Sequence, residues 1–295
     1  SQLNASTGEF NTSLGSLSMG AGVTTGNYNV VMGYNTGVSV TSGAENILIG
    51  AFAGDALTAG IRNVAIGYAA LTTENDHGLN VAIGYEALKM LDAGQNSSNV
   101  AVGYQAGAVM STGVENNLFG AGAGDALTTG SYNVAIGSNA LSTEDTGGRN
   151  TAVGNRALNT LNYDGNGYNT AVGFDAGLSV STGIQNTLIG GLAGDALTTG
   201  GNNVAIGVLA LSSEDTGSKS IAIGFQSLAV QDYDGDAHNI AVGYQAGAAV
   251  TTGLYNTIVG GEALSTNIDG DNNTAIGYHA LKTMEADADG GGGKD

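Results

Sequence analysis

Three short loops carry the side chains best placed to do chemistry. Asp232-Tyr233-Asp234-Gly235-Asp236 sets carboxylates at alternate positions around a glycine. Asn162-Tyr163-Asp164-Gly165-Asn166 and Asn267-Ile268-Asp269-Gly270-Asp271 keep the same spacing with amides among the donors. Alternating oxygen ligands with a turn glycine form the front half of a calcium loop. The candidate metal ligands are therefore Asp232, Asp234, Asp236, Asn162, Asp164, Asn166, Asn267, Asp269 and Asp271, with calcium as a possible cofactor and none required. The bidentate glutamate that completes an EF-hand is missing at its offset, and Asp-Gly and Asn-Gly also build ordinary turns. Sequence leaves both readings open.

Other chemistry is sparse. His77, His238 and His279 fall at unequal places and there is no cysteine, so no nucleophile and base can be paired by pattern. Glu144-Asp145 and Glu214-Asp215 are expected in solvated acidic turns. The many Gly-x-Gly fragments lack a Walker lysine or a basic patch. No catalytic or cofactor-binding residues are expected, and the chain is read as non-enzymatic. An aromatic residue follows a recurring glycine at Tyr34, Tyr68, Tyr85, Tyr104, Phe174, Phe225, Tyr244 and Tyr278. Exposed rings at Tyr85, Tyr104 and Tyr244 could stack on the sugars of a receptor; packing between repeats is the other reading. Thr24-Thr25, Thr128-Thr129, Thr198-Thr199 and Thr251-Thr252 hint at an ice-binding array, but acidic repeats and insertions interrupt it.

The elements that position these residues come from one repeat, Asn-x-x-[Ile/Val]-Gly. Copies begin at Asn11, Asn29, Asn46, Asn63, Asn80, Asn99, Asn116, Asn133, Asn150, Asn169, Asn186, Asn203, Ser220, Asn239, Asn256 and Asn273. Most steps are 17 residues and three are 19, the long ones recurring every 70. Four-coil blocks thus span 29–98, 99–168 and 169–238, with a partial fourth at 239–284. Residues 1–10 form a lead-in, 11–284 the repeat domain, and 285–295 an acidic, glycine-rich tail read as flexible.

A coil this short cannot bury its own apolar face, whereas stacked coils can. The expected fold is an all-β parallel β-solenoid of about sixteen coils of 17–19 residues. Asn63, Asn80, Asn133 and Asn203 represent a structural amide ladder, and Gly67, Gly84, Gly137 and Gly207 the corner after each strand. Positions two and four of each coil share one strand face and are expected to fill the interior. Position three faces the other way. It carries Ala65 and Ala82 in most coils, and Leu48, Leu118, Leu188 and Ile258 at 70-residue intervals. A second apolar face calls for a partner, so these six residues are expected to line a homotrimer interface.

Asn63-Val64-Ala65-Ile66-Gly67 and its copies at 80–84, 133–137 and 203–207 resemble the head repeat of trimeric autotransporter adhesins, the YadA-like head. Asn239-Ile240-Ala241-Val242-Gly243-Tyr244 and Asn273-Thr274-Ala275-Ile276-Gly277-Tyr278 resemble repeats of bacteriophage tail fibres. The resemblance covers roughly residues 11–284 and implies a left-handed β-roll with three chains. It departs from the adhesin pattern in its longer coils and in lacking the serine after Asn. It implies a virion fibre shaft or receptor-binding fibre first, and a bacterial surface-adhesin head second. A host-surface glycan or protein receptor, neighbouring fibre or virion proteins and an extracellular location follow from it. A chain that ends at Asp295 after a loose tail fits loss of a self-cleaving C-terminal chaperone. One that starts at Ser1 without a signal pattern reads as processed, excised or otherwise exported.

Composition narrows the partners. Seven Lys and Arg stand against 26 Asp and Glu, giving a formal net charge of −19 that repels phosphate backbones. No apolar run approaches the roughly 18 residues of a membrane span, so neither nucleic-acid binding nor membrane insertion is expected. Fifty-one glycines without any proline exclude collagen, and the 42% hydrophobic content excludes plain disorder.

Overall fold

The computed structural model describes residues 7–20 and 23–283. The tail at 285–295, residue 284 and the first six residues of the lead-in lie outside the described residues. The chain is an all-β solenoid of sixteen parallel strands, each three residues long and taken from positions two to four of one coil. No helix occurs among the described residues, so none is long and apolar enough to cross a membrane.

The chain divides into two compact units, 1–148 and 149–295, and the division falls inside the second block. The first unit holds β1 (Thr12–Leu14) to β8 (Val134–Ile136), and the second holds β9 (Thr151–Val153) to β16 (Thr274–Ile276). Within each unit every strand pairs with the next in sequence. The register is fixed by the repeat: Val64 lies beside Val81, Ala65 beside Ala82, and Ile66 beside Ile83. Identical positions therefore stack on one another through either unit.

The corner glycine is required twice over. Gly84 adopts φ 140, and a Cβ added there would meet the Gly103 carbonyl oxygen at 2.1 Å. A backbone oxygen of the next coil cannot yield, so no other residue fits. Beyond the corner, left-handed residues recur at positions seven and nine, as at Ala69 (φ 53) and Leu71 (φ 54), then Glu86 (φ 55) and Leu88 (φ 47). Such a conformation costs an L-residue roughly 1–2 kcal/mol. The return is in hydrogen bonds between coils. At position seven the N–H of Ala69 donates back to Ala51 O at 3.0 Å. At position nine the N–H of Leu71 donates forward to Ala87 O at 3.0 Å. The turn is thereby tied to both neighbours, as a strand would be, although it is not one.

The expected sides of the strand are reversed. Ala65, Ala82, Leu48, Leu118, Leu188 and Ile258 are each 0% exposed within the single chain, so none can touch a second copy. They fill the coil interior with Ala87, Leu88 and Leu91. Positions two and four point outward instead; the Val64–Ile66 strand is half-buried, fully buried and half-buried in order. The reason is steric. A three-residue strand turns only its middle side chain to one face, and the interior is narrow: a Cβ on Gly107 would lie 2.8 Å from Leu118 Cδ1. Alanine fits there in most coils, Val31, Leu48, Leu118, Leu188 and Ile258 take the few larger places, and the remaining valines and isoleucines of the strands are left outside.

Candidate functional site

The buried polar side chains run along the inside of the coils. Every position-one asparagine among the described coils from Asn29 onward is buried. Asn46 Oδ1 accepts the Asn63 amide at 2.9 Å, and Asn46 Nδ2 donates to Gly60 O at 2.8 Å. Asn133 and Asn203 repeat the pattern, donating to Gly147 O and Gly217 O and joining backbone N–H to Asn116 Oδ1 and Asn186 Oδ1. In some coils Nδ2 also reaches the preceding asparagine, as from Asn46 to Asn29 at 3.1 Å. The ladder is thus mainly side chain to backbone, because the backbone N–H lies closer to each Oδ1 than the next amide does.

Ser220 interrupts the ladder, and Gln231 repairs it. Gln231 is fully buried; its Nε2 donates to Ser220 Oγ at 2.7 Å and its Oε1 accepts Asn239 Nδ2 at 2.9 Å. In the two preceding blocks the same two places hold Asn80 with Leu91 and Asn150 with Leu161. A long amide has replaced a leucine where a short hydroxyl replaced an amide.

The acidic turns differ from expectation. Glu74, Glu144 and Glu214 are fully buried rather than solvated. Each occupies position twelve and accepts the amide three residues on: His77 at 3.1 Å, Gly147 at 2.7 Å and Gly217 at 2.7 Å. Asn267 holds the equivalent place and accepts the Gly270 amide at 2.9 Å. The side chain is an inward acceptor that closes a turn. Burial pushes the Glu74 and Glu214 carboxyls above the usual range, against the pull of the nearby amides. Their second oxygens differ. Glu214 Oε2 accepts Gln231 Nε2 at 2.9 Å and the Tyr233 amide at 3.4 Å. Glu74 Oε2 makes no hydrogen bond, although the Ala93 amide still favours its ionised form.

The proposed calcium ligands do not gather. Asp234 accepts Thr216 Oγ1 at 2.8 Å, Asp236 pairs with Lys219 at 2.6 Å, and Asp232 lies by Glu214 and Asp215. Asn162, Asp164 and Asn166 are exposed on the corresponding loop, whose Gly165 amide bonds Tyr163 O as Gly235 bonds Tyr233 O. Asn267 is turned inward, and Asp271 caps the Leu254 amide at 2.7 Å, away from Asp269. Alternation along an extended segment spreads donors apart, whereas a calcium loop must curl them inward. Among the described residues, two clusters of three acidic or histidine groups converge: Glu74, His77 and Asp92, and Glu214, Asp215 and Asp232.

The aromatic row is both exposed and self-packed. Tyr85, Tyr104 and Tyr244 are 43%, 56% and 54% exposed. Tyr68 stacks on Tyr85 and Tyr85 on Tyr104, each with centroids 5.3 Å apart, and Phe225 stacks on Tyr244 at 5.5 Å. Phe52, from a neighbouring position, bridges Tyr34 and Tyr68 edge-on. Tyr85 has a ring on both faces and offers solvent its edge and hydroxyl, whereas Tyr104 and Tyr244 are each stacked on one face by a ring. In each threonine pair the second member, Thr25, Thr129, Thr199 or Thr252, is exposed, while the first is tied to the next coil or buried. Thr24 is buried, and the Thr128, Thr198 and Thr251 hydroxyls donate to Asp145 O, Asp215 O and Ile268 O of the next coil.

No family model matches the chain, and neither the curated proteins nor the solved structures contain a significant match.

Proposed function

We propose that the chain is a non-enzymatic fibre segment that works as a homotrimer, a shaft or receptor-binding part of a virion fibre. The observation that carries this reading is the outward side of the strands. Position four is apolar in all sixteen strands and stands in register there, position two adds a second apolar side chain in nine of them, and Phe119, Ile136, Ile189 and Val259 are each more than a third exposed. Ladders of this kind on a chain of net charge −19 separate apolar from acidic surface, and continuous apolar surface is usually covered by a partner. A second copy in the same register offers the most regular cover, because each valine or isoleucine then meets its own kind.

The threefold symmetry and the left hand of the coil rest on the resemblance to adhesin heads and phage fibres. On this reading three acidic flanks face outward, and the loops after Lys89, Asn159 and Ala229 meet a host glycan or protein, weak single contacts adding by avidity. The location is extracellular, with adjoining fibre or virion proteins as neighbours. Light scattering of the purified protein tests the assembly. A mass three times 29.1 kDa is expected, and a monomer at micromolar concentration would refute it.

A further inference from the structure

We propose that Glu74, His77 and Asp92 form a binding site for a divalent transition-metal cation of the zinc class. Two buried polar atoms meet there without hydrogen-bond partners, Glu74 Oε2 and His77 Nδ1. Glu74 itself is 0% exposed, and leaving a carboxylate oxygen unpaired in such a place is costly. The two side chains do not satisfy each other. His77 Nδ1 lies 3.4 Å from Glu74 Oε1, a long ion-pair distance, and that oxygen already accepts the His77 backbone amide.

That separation suits a shared ion. Metal–ligand bonds of about 2.0–2.1 Å around a tetrahedral ion hold the ligand atoms about 3.4 Å apart. Ligand atoms from Glu74, His77 and Asp92 all lie within 4.8 Å of one another. Asp92 is exposed and is free to close the remaining gap from the solvent side, leaving a fourth position for water. One imidazole and two carboxylates select a borderline cation over calcium, which takes oxygen ligands alone.

The third block supplies the contrast. Glu214 stands at the same coil position and the Tyr233 amide acts on it as the Ala93 amide acts on Glu74, but Gln231 donates to its second oxygen at 2.9 Å and Gly217 replaces the histidine. There the protein completes the carboxylate itself. In the first block Leu91 stands in place of Gln231, and the histidine stands where the turn otherwise has glycine. The ion would clip the third-coil turn to the loop after Lys89.

Isothermal titration of metal-stripped full-length protein with zinc chloride tests the site, using H77G and D92N beside the unmodified chain. Gly147, Gly217 and Asn162 show that the turn accepts both substitutions, and matching melting curves without metal check that both variants fold. One saturable zinc ion per chain is expected, weakened at least tenfold by H77G and undisplaced by excess calcium. Absence of saturable binding, equal binding by H77G, or displacement by calcium at similar concentration would each overturn the proposal.

Discussion

The inward and outward faces of the same three-residue strand are both apolar, yet they obey different rules. Inside, alanine recurs at Ala65, Ala82, Ala101 and Ala135, with larger residues at Val31, Leu48, Leu118, Leu188 and Ile258. Outside, valine and isoleucine repeat in the first unit, while Thr151, Thr170, Thr187, Thr257 and Thr274 enter position two in the second. Volume governs the inner face, because a coil interior a few ångströms across excludes what does not fit. The outer face has no such limit and tolerates threonine. The lesson is that hydrophobicity alone does not tell inside from outside in a narrow solenoid, whereas the recurrence of alanine at one position does.

The comparison can be broken most forcefully at Leu118. Replacing it with alanine leaves a cavity and should cost about 2–5 kcal/mol in chemical denaturation. An unchanged midpoint, with weakened association instead, would return Leu118 to an interface. The polar side of the core gives the next effect. Gln231→Leu strands Ser220 Oγ and Glu214 Oε2, at a cost of roughly 1–3 kcal/mol. Adding Ser220→Asn should recover part of that loss, since Asn80 and Asn150 sit opposite leucines; strictly additive effects in the cycle would deny the repair. On the outer surface Tyr85→Ala removes two stacks and should cost about 0.5–1.5 kcal/mol. Lost receptor binding at unchanged stability would restore a recognition role to the ring.

The smallest expected effect is that of pH. Burial raises the Glu214, Asp125 and Asp195 carboxyls above their unfolded values. Groups raised in the folded state contribute stability that is full below the unfolded pKa and fades as pH climbs through the folded one. Glu86, Asp236 and Glu262 are held low by Lys89, Lys219 and Lys282, but they are solvent-screened and weigh little. Melting temperature should therefore rise modestly as pH falls from neutrality into the range just above the ordinary carboxylate pKa. A steady fall over that descent would mean that the exposed pairs dominate.

Much of the architecture was legible because it repeats: Gly67, Gly84, Gly137 and Gly207 marked the corners, and Asn63 and Asn80 the ladder. The sides of the strand were not, since valine, isoleucine and alanine all read as apolar. Nor were the left-handed positions, which Ala69, Glu86, Leu88 and Gln105 fill without any glycine to announce them. Hydrogen bonds to neighbouring coils sustain those conformations, and a single coil carries no sign of them. Glu144 and Glu214 were misread for a related reason. An acid followed by polar residues looks solvated until the turn folds it inward onto a backbone amide. The one signal available was the recurrence of Glu74, Glu144 and Glu214 at 70-residue intervals.

The central claim is that another copy of the chain covers the outward ladder. The absence of cysteine allows a direct test, with a single cysteine introduced at Ile83, on the outer face of β5 (Val81–Ile83). In dilute native protein, I83C should be protected from maleimide and should join chains covalently with a short bifunctional reagent. Labelling at the rate of a free thiol, with only single chains on a denaturing gel, would contradict it.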